Sequence, residues 1–138
     1  MPACPRRYRA IGCPGHPRRL RKFRLSRRCV FGCVTQLIQR FGRLNKPAAS
    51  ICVGALPIAQ AGLLRGRRGT TYHLMEGRRR AQLAEFGVEV VDAPLVREGN
   101  VTTSTSPATA VEVALSLLAD LTGRQTADHI RHLTGFSR

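Results

Sequence analysis

The sequence predicts an α/β fold with a mainly parallel sheet, and three observations carry that expectation. Short apolar runs alternate with segments of helical periodicity, as layered α/β domains require. The helical segments close at glycine or asparagine-proline signals. A cysteine stands where one charge-free run passes into a helical segment, in Ser50-Ile51-Cys52-Val53-Gly54.

Residues 1–28 hold Pro2, Pro5, Pro14 and Pro17 among unopposed arginines and show no period of either kind, so they are expected to be disordered. From Val34, the residues Val34, Leu37, Ile38, Phe41 and Leu44 recur at helical spacing until Asn45 and Pro47 end the pattern. Ala48 to Cys52 carries no charge, which suits a strand buried on both faces. Gly54 to Leu64 reads as a helix ended by Gly66, and Thr70-Thr71-Tyr72 as a short β-prone run. Glu76 to Phe86 is amphipathic, with Leu83 and Phe86 inward, Arg78, Arg79 and Arg80 outward, and Gly87 as the stop. Val88 to Val91 reads as a strand. Leu95-Val96-Arg97 and Val101-Thr102-Thr103 flank the turn Glu98-Gly99-Asn100 as a hairpin. Ser106-Pro107 is a helix start, with Val111, Leu115 and Leu118 on one face of a helix that Gly123 closes. A last helix covers Ala127 to Leu133.

Charge divides the chain unequally. Residues 1–46 hold 13 of the 23 Lys and Arg and no Asp or Glu; residues 47–138 hold 10 basic and 8 acidic residues, a net +2. Two parts are therefore expected. Residues 1–33 form a basic segment, disordered or read from a wrong frame or start, and residues 34–138 form a partial α/β domain. Through residue 46 the basic part suits non-specific binding to nucleic acid phosphates. No run approaches the ~20 apolar residues of a membrane span. The stretch Cys29 to Val34 is too short for a signal sequence and is interrupted by Gly32. The odd set Cys4, Cys13, Cys29, Cys33 and Cys52 argues against a disulfide framework and for free thiols in a cytoplasmic protein. Cys13, His16, Cys29 and Cys33 have the donor chemistry for zinc, but their spacing is irregular and positive charge surrounds them. Neither a metal nor a cofactor is expected.

The chemistry centres on Cys52. A nucleophile between a buried strand and a helix, with small residues two positions to either side, is the arrangement of a nucleophile elbow. The reversal lifts the sulfur to the C-terminal edge of the sheet, where open α/β folds bind ligands. The helix start directs the Val53 and Gly54 N–H groups at it, favouring a thiolate and forming an oxyanion hole. The competing role is an inert buried cysteine. His73, in Thr70-Thr71-Tyr72-His73, follows the next run and is the candidate second catalytic residue, with an ordinary surface or loop histidine as the equal alternative. His129 and His132 are expected to be solvated.

The stretch SICVGALPIAQAGLLRGRRGTTYH resembles the nucleophile region of the ThiJ/PfpI family, within the class I glutamine amidotransferase-like superfamily. FGVEVVDAPLVREGNVTTSTSPATAVEVALSLLADLTG resembles that family's closing hairpin and C-terminal helix. The resemblance implies a flavodoxin-like three-layer sandwich lacking its N-terminal half, with Cys52 reactive. It further implies hydrolase or glyoxalase/deglycase-like ancestry, a small-molecule substrate and a possible homodimer. Two departures stand out. The family's acid that hydrogen-bonds the sulfur comes from the first half, and residues 1–46 hold no carboxylate to replace it. Many members have histidine after the cysteine, where this chain has Val53. The expected protein is a truncated, weak or inactive member. The alternatives are a non-enzymatic stress, redox-sensing or chaperone-like role, and nucleic-acid binding through residues 1–46.

Overall fold

The computed structural model describes the backbone of residues 27–74 and 76–136, with side chains from Gly32 onward. Its elements are α1 (Arg27–Arg43), β1 (Ala48–Ile51), α2 (Ala55–Gln60), β2 (Arg68–Gly69), α3 (Arg78–Glu85), β3 (Glu89–Val90), β4 (Leu95–Glu98), β5 (Val101–Ser104), α4 (Ala110–Thr122) and α5 (Arg124–Leu133). Short 3-10 turns, Cys52–Gly54 and Pro107–Thr109, lead into α2 and α4. Three strands form a sheet in the order β1-β5-β4, with β1 parallel and β4 antiparallel to β5, and β2 pairs in parallel with β3. The α/β class, the parallel pairing and the hairpin are those the sequence predicts.

The strand β5 is more than a hairpin arm. It is the middle strand of its sheet, and all four of its residues are buried. Its hydroxyls are satisfied by distant segments. Ser104 Oγ donates to the Ser50 carbonyl at 3.3 Å, and Thr103 Oγ1 accepts the Thr70 N–H at 3.0 Å. Leaving such a buried group unpaired costs about 1–3 kcal/mol. The Thr70–Thr103 bond ties the chain after β2 to the larger sheet.

The core gathers Ala55, Ile58, Ala59, Leu64, Leu83, Val88 and Val101, with Ile38 of α1 packed on its margin. Burying each large aliphatic side chain contributes about 1.5–3 kcal/mol. Within the sheet β1 is an edge strand. Because Ala48 N–H bonds the Asn100 carbonyl at 2.9 Å, strand alternation turns the N–H and C=O of Ala49 and Ile51 away from β5. Beside that edge Val34, Leu37 and Phe41 remain exposed, so the apolar face of α1 is only partly covered.

Several expectations need correction. The helix predicted from Val34 begins at Arg27, seven residues earlier. No proline occurs between Pro17 and Pro47, and nothing there blocks the helix sterically. Residues 1–26 of the expected disordered segment lie outside the described residues. The helix expected over Gly54 to Leu64 ends at Gln60, and Gly62 follows with φ +89°. The strand expected at Thr70–Tyr72 lies earlier, at Arg68–Gly69. The third helix begins at Arg78 instead of Glu76, because Glu76 (φ 57°) and Gly77 (φ 71°) are left-handed. Phe86, expected inward, is 37% exposed, whereas Leu83 is fully buried. Ser106 does not cap through its side chain; Thr109 Oγ1 instead donates to the Ser106 carbonyl at 2.7 Å. The last helix starts at Arg124, ahead of Ala127.

Candidate functional site

Strand β1 ends at Ile51 in extended conformation (φ −121°, ψ 138°), and Cys52 then reverses the chain with φ +60°. For a residue bearing a Cβ this left-handed conformation costs roughly 1–2 kcal/mol. Such strain persists only where surrounding structure over-determines it. Here the restraint is Thr71, a fully buried residue whose Oγ1 donates a 2.9 Å hydrogen bond to the Cys52 carbonyl. Sequence reasoning passed over Thr71. The only signal was the β-prone run Thr70-Thr71-Tyr72, read there as a strand.

The small residues around the cysteine have a steric basis. A Cβ built on Gly54 would lie 3.4 Å from the Ser50 Cβ, so alanine would fit and larger groups would collide with β1. As first-turn residues, Val53 and Gly54 carry N–H groups without intrahelical acceptors. The Val53 side chain is exposed. Because α2 spans only six residues, no long helix dipole stands behind these amides. The Cys52 thiol is free and half-buried.

Two open hollows flank the turn. Ser50 and Gly54 line an apolar one of about 510 Å³ together with Val34, Phe41, Ile58 and Leu117. The Ser50 Oγ is buried there without a hydrogen-bond partner among the described residues. Val53 lines the other, about 370 Å³, between α2 and α3 with Leu56, Gln60, Gln82 and Phe86.

His73 is exposed and stands against Tyr72, with ring centroids 6.3 Å apart at 46°. Its electrostatic influence falls on Asp92, which Arg80 holds in an ion pair. The Arg80 hydrogen bond and then the Arg80 charge hold the Asp92 carboxyl below the usual carboxylate range, with His73 a smaller contribution in the same direction. Among the described residues no hydrogen bond joins His73 to Cys52, and no carboxylate is bonded to the thiol. His129 and His132 are exposed on α5. No group of three or more potential metal ligands occurs among the described residues. The side chains of Cys13, His16 and Cys29 lie outside them. No helix there is long and apolar enough to cross a membrane.

Comparison with known proteins identifies the family and the fold. The model of the DJ-1/PfpI family matches residues 26–120, a span that opens one residue before α1. A protein named as a deglycase from Pyrococcus horikoshii is 35% identical over 104 residues, covering 75% of this chain and 57% of its own length. Among solved structures, a ThiJ/PfpI family protein from Pseudomonas syringae aligns with a TM-score of 0.63 at 26% identity, over 75% of this chain and 41% of that one. DJ-1 from Schizosaccharomyces pombe aligns with a TM-score of 0.61 at 29% identity, over 71% of this chain and 50% of its own. The sandwich is flavodoxin-like. The chain spans little more than half the length of the curated relatives it matches.

Proposed function

Because the chain belongs to the DJ-1/PfpI family, we propose that Cys52 is its reactive residue, in cysteine-dependent chemistry on small carbonyl compounds of the kind a deglycase handles. The observation that carries this reading is the strained Cys52 backbone, φ +60°, at the junction of β1 and the following helix. Strain of this kind gathers at functional sites. In the reaction the Cys52 sulfur adds to an electrophilic carbonyl carbon, and the carbonyl π electrons move to oxygen. The Val53 and Gly54 N–H groups stabilise that oxyanion, and a proton from water or His73 neutralises it. His73, just past Thr71 in the chain, is the candidate proton carrier. In an adduct of a 2-oxoaldehyde, the proton on the sulfur-bearing carbon then passes by way of the carrier to the neighbouring carbonyl carbon, which leaves a thioester on Cys52. Water adds to it, the C–S bond breaks, and a 2-hydroxy acid and the free thiol are released.

Among the described residues no carboxylate is bonded to the Cys52 thiol, so we infer slow turnover by residues 1–138 alone. Losing general acid–base help from a missing partner alone lowers rates by about 10²–10⁴-fold. The substrate is a small molecule, and the active assembly is a homodimer in this reading. The test combines methylglyoxal turnover with mass spectrometry of the Cys52 peptide, for this chain, for Cys52→Ala, and for a longer chain carrying a preceding family half. Adduct on Cys52 with turnover only in the longer chain is expected. Adduct spread evenly over the other cysteines would overturn the assignment of Cys52. Equal turnover by both chains, abolished by Cys52→Ala, would overturn the slow-turnover reading. Stepwise oxidation of Cys52 by peroxide, with no carbonyl turnover in either chain, would replace the enzyme with a redox sensor.

A further inference from the structure

At the end of the sheet away from Cys52, β1 and β5 begin side by side. Ala48 N–H bonds the Asn100 carbonyl at 2.9 Å, and Asn100 Nδ2 donates to the Lys46 carbonyl at 2.8 Å. Against this corner lies an open hollow of about 570 Å³, with Gln39, Arg43, Asn45, Arg65, Arg67 and Asn100 in its wall. No carboxylate lines it. Packing brings the arginines together. A Cβ at Gly42 would lie 3.0 Å from Leu63 Cγ, so the glycine lets α1 press on the turn after α2, and Arg43 and Arg65 line the same hollow. Arg67 reaches the hairpin turn, its Nη1 3.7 Å from where a Gly99 Cβ would stand.

Four other arginines of the described residues have acids, and the remaining unpaired ones, Arg40, Arg78, Arg79 and Arg124, do not line this hollow. Arg68 pairs with Glu98, Arg80 with Asp92, Arg97 with Asp120 and Arg131 with Glu112. Among the described residues Arg43, Arg65 and Arg67 form no ion pair, yet all three face one space. Like charges so placed repel one another unless an anion lies between them. Guanidinium forks match phosphate oxygens in pairs, which a scatter of lysines would not do. With Asn100 Nδ2 engaged by Lys46, the Gln39 and Asn45 carboxamides are the neutral side-chain donors left to the ligand.

We propose that this hollow is a binding site for the phosphate groups of a small phosphorylated ligand, pyrophosphate being the simplest probe. The site is separate from Cys52 and does not rest on the chemistry assigned there. A concave wall of three arginines suits a compact polyanion better than an extended strand of nucleic acid, for which residues 1–46 offer more charge.

The experiment titrates the full chain with inorganic pyrophosphate by calorimetry at about 0.15 M salt, where long-range charge effects are screened. Arg65→Gln/Arg67→Gln is compared with Arg78→Gln/Arg124→Gln, which removes equal charge from exposed positions elsewhere. The expected result is saturable binding that weakens about tenfold or more in the first variant and changes less than about twofold in the second. Should the first variant fail to melt cooperatively, Arg43→Gln, at the exposed end of α1, carries the same expectation. Equal weakening in both variants, or no saturable binding, overturns the proposal. So does loss of oligonucleotide binding in Arg65→Gln/Arg67→Gln when pyrophosphate never binds, which would make the hollow part of a nucleic-acid face.

Discussion

The Thr71 hydroxyl donates a 2.9 Å hydrogen bond to the Cys52 carbonyl, joining the residue that reverses the chain to the segment after β2. Cys52 holds φ +60° against its own Cβ, and a buried hydroxyl nineteen positions away fixes the peptide that does so. The turn is thus held from outside its own sequence.

Thr71→Val is expected to lower stability by about 1–3 kcal/mol, because the carbonyl loses its partner and the hydroxyl site becomes apolar. Cys52→Gly should act in the opposite direction, gaining about 1 kcal/mol from relieved left-handed strain. Urea unfolding of both variants measures this. A stable Thr71→Val protein together with an unimproved Cys52→Gly protein would mean that the turn is neither strained nor restrained as described.

Alkylation should distinguish the two cysteines whose side chains are described. Both Cys33 and Cys52 are free and half-buried, but Cys33 lies within α1 whereas Cys52 stands at the turn where β1 passes into the following helix. Brief iodoacetamide treatment at neutral pH with peptide mapping is expected to modify Cys52 first, and more slowly in Thr71→Val. Faster labelling of Cys33 would contradict the reactive role proposed for Cys52.

The Arg80–Asp92 pair gives a signed pH dependence. Arg80 holds the Asp92 carboxyl below its ordinary value of 3.8. A carboxylate depressed in the fold adds stability that is present above its unfolded value and is lost as pH falls through its own lower value. The pair is exposed on the Asp92 side, so the effect is small and salt-sensitive. Asp92→Asn should melt like the parent near pH 2.5 (roughly, below the range where exposed aspartates ionise) and below it at neutral pH. Identical melting at both pH values would show that the pair contributes nothing.

Nucleic-acid binding, where found, is expected to depend on the basic N-terminal segment and to fall steeply with salt. The deletion that tests this stops at residue 26, because α1 delivers Ile38 to the core and its removal would confound binding with unfolding. Filter binding at several salt concentrations is the measurement. Retained, salt-steep affinity in the shortened chain would move the binding face into the α/β part.

Local pattern reached far into this molecule. The alternation of apolar runs with helical periods, punctuated by Gly66, Gly87, Gly99 and Gly123, placed the strands and most helices to within a few residues, although α1 starts seven residues before Val34. Ser50-Ile51-Cys52-Val53-Gly54 marked the reversal, since close contact between Ser50 and Gly54 demands small side chains that can be read directly. Boundaries were less legible. Where a helix starts depends on sterics at Gly77 and Glu76, whose φ values no period reveals.

By itself the sequence determined the α/β class, the order of elements, the hairpin and the place of the cysteine turn, because each follows from neighbours a few positions apart. Only the tertiary structure decided that β5 is the middle strand, that Thr103 and Ser104 are buried with distant partners, and that Thr71 holds Cys52. It also decided which arginines meet an acid and which three face one hollow. The physical reason is common to all of these. A hydroxyl or a guanidinium is polar in any sequence, and whether it is a solvated surface group, a buried strut or part of a site depends on what folding brings within hydrogen-bond reach.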